Sequence, residues 1–206
     1  LIKSSDGPIF IIECTCRKRK SILHEPCLRT KRKETCMVFG DMAKLMLKYL
    51  HGRKISKDEA LDIARQSQKE GLVLQTYNMQ RPEVICACCS CCCEILGIHK
   101  ILVNPANFWS SNFHAVIDSE KWKGCKLCIK SCQADALKFD KKKKKVSIKN
   151  NKCIGCGNCV PFCKAKALRL ERNQETKIPP VDFDDLQETI MRNKPKWRLG
   201  RIIKRS

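Results

Sequence analysis

Cys153, Cys156, Cys159 and Cys163 follow one another at intervals of three, three and four residues. Thiolates spaced in this way curl round a common point, which suits them to grip the corners of a small inorganic body, and soft sulfur donors select iron–sulfur clusters or zinc. The chemistry on offer is metal holding and single-electron transfer. The pattern occurs twice. A shift of 31 residues lays Cys125, Cys128 and Cys132 on Cys156, Cys159 and Cys163, and Ala134, Ala136 and Leu137 on Ala165, Ala167 and Leu168. Trp122 falls where Cys153 would be matched, so one thiolate of the doubled pattern is missing.

The two runs, the flanking Gly124, Gly155 and Gly157 and the internal repeat resemble bacterial-type 2[4Fe-4S] dicluster ferredoxins over residues 114–172. In that family the fourth Cys of each run serves the other cluster. The resemblance therefore implies one complete set, Cys132 with Cys153, Cys156 and Cys159, and a second set of Cys125, Cys128 and Cys163. Indole carries only an N–H donor, so Trp122 cannot ligate iron. The second site could be a three-iron [3Fe-4S] cluster. It could instead borrow Asp118, Glu120, a water or an upstream thiolate, leave an iron open, stand empty, or reflect a misread Cys codon. The family places Pro after each run, whereas Gln133 and Lys164 stand here, which removes a rigid turn but no ligand.

Ten further thiols lie upstream: Cys14, Cys16, Cys27, Cys36, Cys86, Cys88, Cys89, Cys91, Cys92 and Cys93. They suffice for one or two more iron–sulfur clusters or one larger assembly, with zinc as the main competitor and free or catalytic thiols behind it. In an extended segment Cys86 and Cys88 would face one way and Cys89, Cys91 and Cys93 the other. Cys14 and Cys16 stand closer than the usual structural zinc pair. The segments around CTCRKRK, ETCMVFGDMA, ISKDEALDIARQSQKEGLV and ICACCSCCCEILG are similar to a family of poorly characterised multi-cluster 4Fe-4S ferredoxin-type proteins of anaerobic bacteria and archaea. That resemblance implies a fused redox protein, and its members' longer amino-terminal stretch fits the start at Leu1 as a sign of a missing portion.

An odd total of 17 Cys, several of them adjacent, argues against a disulfide scaffold and for a reducing cytoplasm. No apolar run reaches the length of a membrane span. Lys and Arg outnumber Asp and Glu by 42 to 21, a formal +21, which marks a solvated Lys-rich surface first and, among partners, acidic redox proteins before nucleic acid. His24, His51, His99 and His114 lack paired spacing and read as surface or packing residues. No phosphate loop, nucleotide fingerprint or nucleophile elbow competes.

The elements that must position these thiols are expected as an α+β fold: a small ferredoxin-like dicluster domain preceded by a Cys-rich, mainly helical domain. Residues 1–40 form a Cys-rich segment with a strand at Ile9 to Ile12. Residues 41–80 form a helical, winged-helix-like segment, with a helix over 41–51 placing Met42, Leu45, Met46 and Tyr49 on one face. A second helix is capped by Ser56 with Glu59 and stopped by Gly71, ahead of a strand from Leu72 to Tyr77. Residues 81–112 are a second Cys-rich segment and linker, and 113–172 the ferredoxin-type domain, with a hairpin of Ala136 to Phe139 and Val146 to Lys149. Residues 173–206 are a basic tail containing Trp197 and a short helix capped at Asp182 or Asp184, with Leu186 and Ile190 inward. The expected role is an electron carrier or electron-transfer subunit. An iron–sulfur oxidoreductase with a catalytic Cys-rich centre is the alternative, and a DNA-binding redox regulator a third.

Overall fold

The structure, a computed structural model, describes residues 1–49, 52–109, 111–142 and 145–193. The fold is α+β, but the first half is built on a sheet. Strands β1 (Ile9–Glu13), β2 (Glu34–Val38), β3 (Gly52–Ile55), β4 (Val73–Gln75) and β5 (Val84–Cys88) form one antiparallel sheet in the order β3-β1-β2-β5-β4. The expectation of a mainly helical leading domain is corrected by this arrangement, and so is the winged-helix unit. The two strands of residues 41–80 travel to opposite edges of a sheet whose centre comes from the flanking Cys-rich segments. Each strand is short and pairs with a distant partner, Met37 with Ile85 and Val38 with Val84, so only the assembled sheet reveals them.

Residues alternate between the two sheet faces. Ile9, Ile11, Met37 and Ile85 are buried beneath α3 (Lys57–Lys69), against Ala60, Leu61, Ile63 and Ala64. The Ser56 hydroxyl accepts from the Glu59 N–H at 3.0 Å and Gly71 closes α3 at φ +72°, both as the residue types dictate. Ile12, Cys36, Val38 and Val84 cluster with Met42, Ala43 and Met46 of α2 (Gly40–Tyr49). Leu45 and Tyr49, expected on that inward face, are exposed, since α2 rests on Ala43 with the two methionines beside it; His51 lies outside the described residues. Helices α1 (Thr15–Ile22) and α4 (Glu94–Ile101) each begin immediately after a cysteine.

In the second half β6 (Phe113–Ile117) pairs with β9 (Leu168–Arg172), and β7 (Leu137–Asp140) with β8 (Lys145–Ile148), within a residue of the expected hairpin. The short α5 (Leu127–Ser131) joins Cys128 to Cys132. Helix α6 (Phe183–Arg192) is capped by Asp182, which accepts from the Asp185 N–H. Its apolar side is not buried: Ile190 is 48% exposed and no α6 residue is in the core, because the helix attaches through the backbone of 179–181 to Gln80 and Arg81 and by Phe183 against Tyr77. Trp197 and the basic tail lie outside the described residues. Among the described residues no helix is long and apolar enough to cross a membrane.

Candidate metal centre

The duplication seen in the thiols is carried by the backbone. Gly124 and Gly155, Lys126 and Gly157, and Asp135 and Lys166 are related by the same 31-residue shift, and all six have positive φ. Such conformations favour Gly, and their recurrence at matched positions means that both loops wind by the same path. The final sulfur of each run receives an equivalent backbone bond, Ala136 N–H to Cys132 Sγ at 3.3 Å and Ala167 N–H to Cys163 Sγ at 3.2 Å. A third such bond runs from Ala115 N–H to Cys153 Sγ at 3.5 Å.

Cys132 from the first run and Cys153, Cys156 and Cys159 from the second line a single narrow cleft, otherwise walled mainly by small and apolar residues, among them Ala134, Ala136, Leu137 and Ile154, with Asn158 as the polar exception. Burial pushes the Cys159 thiol up to about 12, so ionising it requires a compensating cation of the kind a metal centre provides. Four soft donors, N–H groups aimed at sulfur and an apolar wall fit an iron–sulfur cluster. In the other half, burial raises Cys128, reinforced by Cys163 and Cys125, and Cys128 and Cys163 share one apolar cluster. Trp122 packs against the same apolar cluster, its ring 6.0 Å from that of Phe139 and its Nε1–H buried without a partner. Of the candidate replacement ligands, Asp118 is turned to Lys121 and the backbone N–H of Glu120.

The ten upstream thiols divide into two groups. Cys14, Cys16, Cys93, Cys88, Cys86 and Cys36 form a ring in which each thiol has two others of the group as its neighbours. Sheet register accounts for part of it, since Cys36 and Cys86 are cross-strand partners and Cys88 follows on the same face. Around the ring, hydrogen bonds from Cys16, Cys36 and Cys88 hold Cys14, Cys86 and Cys93 well below the ordinary thiol range and push the three donors up. Cys14 is the N-cap of α1 and Cys93 of α4, so the amino-terminal N–H groups of two helices face the ring and favour negative charge there.

The second group is Cys27, Cys89, Cys91 and Cys92, whose sulfurs all lie within 4.8 Å of one another. The expectation that Cys93 would side with Cys89 and Cys91 is corrected here. The strand ends at Cys88, and a tight turn with the Cys92 and Cys93 N–H groups on the Cys89 carbonyl sends Cys93 back to the ring. Partial burial opposes ionisation of Cys27, yet the Arg29 and Thr30 N–H groups and Arg17 bring it down to about 6.

Three residues of consequence escaped the sequence reading. Arg17 is 7% exposed and lies between the two thiol groups, donating to Thr35 Oγ1, to the Ala87 carbonyl at 2.7 Å and to Cys89 Sγ at 3.7 Å. Burial works against its charge, but the neighbouring Cys14 and Cys89 hold it above the ordinary guanidinium value. Its only signal was membership of a basic run. Gln133 and Asn158, both buried, donate to the Gly71 carbonyl at 2.8 and 2.9 Å, and Gln133 also accepts from the Ser90 N–H at 3.0 Å. They pin the Cys-rich half to the ferredoxin-type half. Cys88 and Cys93 of the ring share an apolar cluster with Cys132, so the ring and the cleft are neighbours. Of the histidines, His99 is buried and accepts from Trp109 Nε1 at 2.8 Å, and His114 pairs with Asn173.

None of the curated proteins matches the chain. Residues 123–167 match the family model described as a 4Fe-4S dicluster domain, so this portion of the chain carries an iron–sulfur domain.

Proposed function

We propose that the protein is an electron-transfer protein or subunit in which Cys132, Cys153, Cys156 and Cys159 hold one [4Fe-4S] cluster and Cys125, Cys128 and Cys163 hold a second, three-iron [3Fe-4S] cluster. When bound, such a centre supplies one-electron redox chemistry. The observation that carries this reading is the single cleft lined by four thiols drawn from both halves of the repeat. The chain's own residues set the conditions. The Ala115, Ala136 and Ala167 N–H groups point at sulfur and favour its anionic state, while the buried alanines and Leu137 exclude water. The six-thiol ring, beside Cys132, is a further polynuclear iron–sulfur site and the other terminus of the relay. Its partners are acidic redox proteins, drawn to the +21 chain, and the setting is cytoplasmic.

Anaerobic purification followed by iron and sulfide quantification and stepwise reduction under EPR tests this. The expected result is iron and acid-labile sulfide in near-equal amounts, at more than about four of each per chain, with more than one reduced-state signal. Cys132→Ser removes one of these signals and leaves the others. An iron-free, colourless protein refutes the reading.

One feature favours a second reading, reduction of a substrate by the Cys-rich half. A cavity of about 430 Å³ beside Cys27 is lined by Arg17, Lys18, Lys31, Arg32 and Lys33, with Glu13 paired to Lys18 and Glu70 to Arg32, an excess of cations that suits a small anionic substrate. Under that reading Arg32→Ala or Lys18→Ala raises the substrate's KM while leaving the cluster signals unchanged.

A further inference from the structure

The two kinds of thiol site in this chain differ in size. Cys132, Cys153, Cys156 and Cys159 surround a cleft, whereas the sulfurs of Cys27, Cys89, Cys91 and Cys92 all lie within 4.8 Å of one another, as those of the cleft do not. Cys27 Sγ is 3.5 Å from Cys89 Sγ and 3.8 Å from Cys91 Sγ, and Cys91 Sγ is 3.4 Å from Cys89 Sγ and 3.8 Å from Cys92 Sγ. A single tetrahedral ion with metal–sulfur bonds of about 2.3 Å sets its four sulfurs about 3.8 Å apart, because the edge of a tetrahedron is about 1.6 times its centre-to-corner distance. A cubane interposes irons and sulfides between its thiolates and holds them wider apart. Four sulfurs at these separations leave room for one ion and no cube.

We infer that Cys27, Cys89, Cys91 and Cys92 form a mononuclear tetrathiolate site for one thiophilic ion of tetrahedral preference, zinc or iron, distinct from the iron–sulfur clusters. The surroundings suit such a centre. Cys89 and Cys92 are buried against Leu72 and Ala87, while Cys27 and Cys91 are half-buried. Four thiolates around a divalent ion carry a net charge of about −2. The buried Arg17 guanidinium at Cys89 Sγ offsets part of it, and the Arg29 N–H donates to Cys27 Sγ at 3.4 Å. Three ligands come from the tight turn after β5, and the fourth arrives from the irregular segment 23–33 between α1 and β2. The ion thus staples that segment to the end of the sheet, assisted by Arg32 on Glu70 and Arg29 on the Lys130 carbonyl. This inference is independent of the clusters in residues 113–172.

The test uses the full chain purified anaerobically, with zinc, iron and acid-labile sulfide measured in the native protein and in Cys27→Ser and Cys91→Ser. The expected result is loss of about one equivalent of zinc, or of iron unaccompanied by sulfide, in each variant, with the reduced-state EPR of the carboxy-terminal clusters unchanged. Trypsin then cuts the variants within 29–33 at least tenfold faster than the native protein. Loss of iron and sulfide together would show a cluster at these four residues and overturn the proposal, as would unchanged metal content. Should the variants not fold, X-ray absorption of the native protein decides. A zinc edge with four sulfurs at about 2.3 Å and no metal neighbour supports a zinc site. With zinc absent, a high-spin tetrathiolate iron component in the Mössbauer spectrum supports an iron site. Absence of both signatures, or nitrogen or oxygen in the zinc shell, overturns the proposal. Missing cluster sulfide beside an intact tetrathiolate signature would instead sink the proposed function alone.

Discussion

Trp122 occupies the position at which the repeat calls for a thiolate, and it does so as a packing residue. Its ring lies beside Phe139 and the Cys128 and Cys163 cluster, with a buried Nε1–H that has no acceptor. With Trp122 in place of the fourth thiolate of the repeat, the set of Cys125, Cys128 and Cys163 has one ligand too few for a fully thiolate-bound cubane. Trp122→Cys is expected to raise iron by about one per chain and to replace the oxidised-state EPR signal of a three-iron centre with a second reduced-state cubane signal. An unchanged spectrum would mean that the backbone at 122 cannot bring a sulfur to the site. His99 offers a test that does not depend on sulfur. Burial comes first among the causes that lower its value, so the folded protein binds its proton less readily than the unfolded chain, whose histidine titrates near about 6.5. The stability it contributes is present above that pH and is lost as the pH falls towards the depressed folded value. In urea titrations between about pH 7.5 and 5.5, His99→Asn should flatten the fall in midpoint seen for the native chain.

At the scale of elements, the loops of the repeat depend on backbone conformations that only some residues tolerate. A Cβ on Gly155, at φ +63°, would overlap the Phe113 carbonyl and the Ser111 hydroxyl, where β6 begins; on Gly124, at φ +77°, it would meet only the Trp122 ring at 3.8 Å. Gly155→Ala should therefore cost about 3 kcal/mol or more, by chemical denaturation, and empty the adjacent cluster site, while Gly124→Ala costs roughly 1 kcal/mol. Equal effects at the two positions would contradict the close approach. The elements of this half, and the capped α3, were legible because their information is local: thiol spacing, a serine cap, a glycine stop. The leading sheet was not. Cys36 and Cys86 are register partners far apart in sequence, and no local periodicity states which strands will pair. For the same reason the division of the ten thiols was hidden, since it turns on where β5 ends and on a turn that reverses Cys93. Leu45 and Tyr49 had the right spacing for an inward face, but the helix rolled onto Ala43.

For the molecule as a whole, the Cys-rich half and the ferredoxin-type half are joined by Gln133 and Asn158 on the Gly71 carbonyl and by Arg29 on the Lys130 carbonyl, and Gln133 is the member of this set that bonds twice across the joint. It follows Cys132 directly, in the position the ferredoxin family gives to proline. A proline could neither accept from the Ser90 N–H nor donate to the Gly71 carbonyl, and Gln133 does both while almost fully buried. The departure from the family pattern is thus the means by which this chain ties the turn of Cys89, Cys91 and Cys92 to the loop that ends in Cys132. Removing the amide leaves Ser90 N–H without an acceptor, whereas the Gly71 carbonyl keeps Asn158 as a donor. The expected cost of Gln133→Ala is about 2 kcal/mol, the range for one stranded buried group plus lost packing. Gln133→Glu retains the acceptor for Ser90 but cannot donate to Gly71, so it separates the two bonds. In hydrogen exchange, Gln133→Ala should deprotect the Ser90 amide by about tenfold or more, following from about 1.4 kcal/mol per decade, and Gln133→Glu should protect it better than Gln133→Ala does. Cluster content should be the same in all three proteins. If the two halves act as one relay, electron exchange between the upstream thiol centre and the carboxy-terminal clusters slows in Gln133→Ala although every cysteine is present. Unaltered exchange with a deprotected Ser90 would show that the joint serves stability alone.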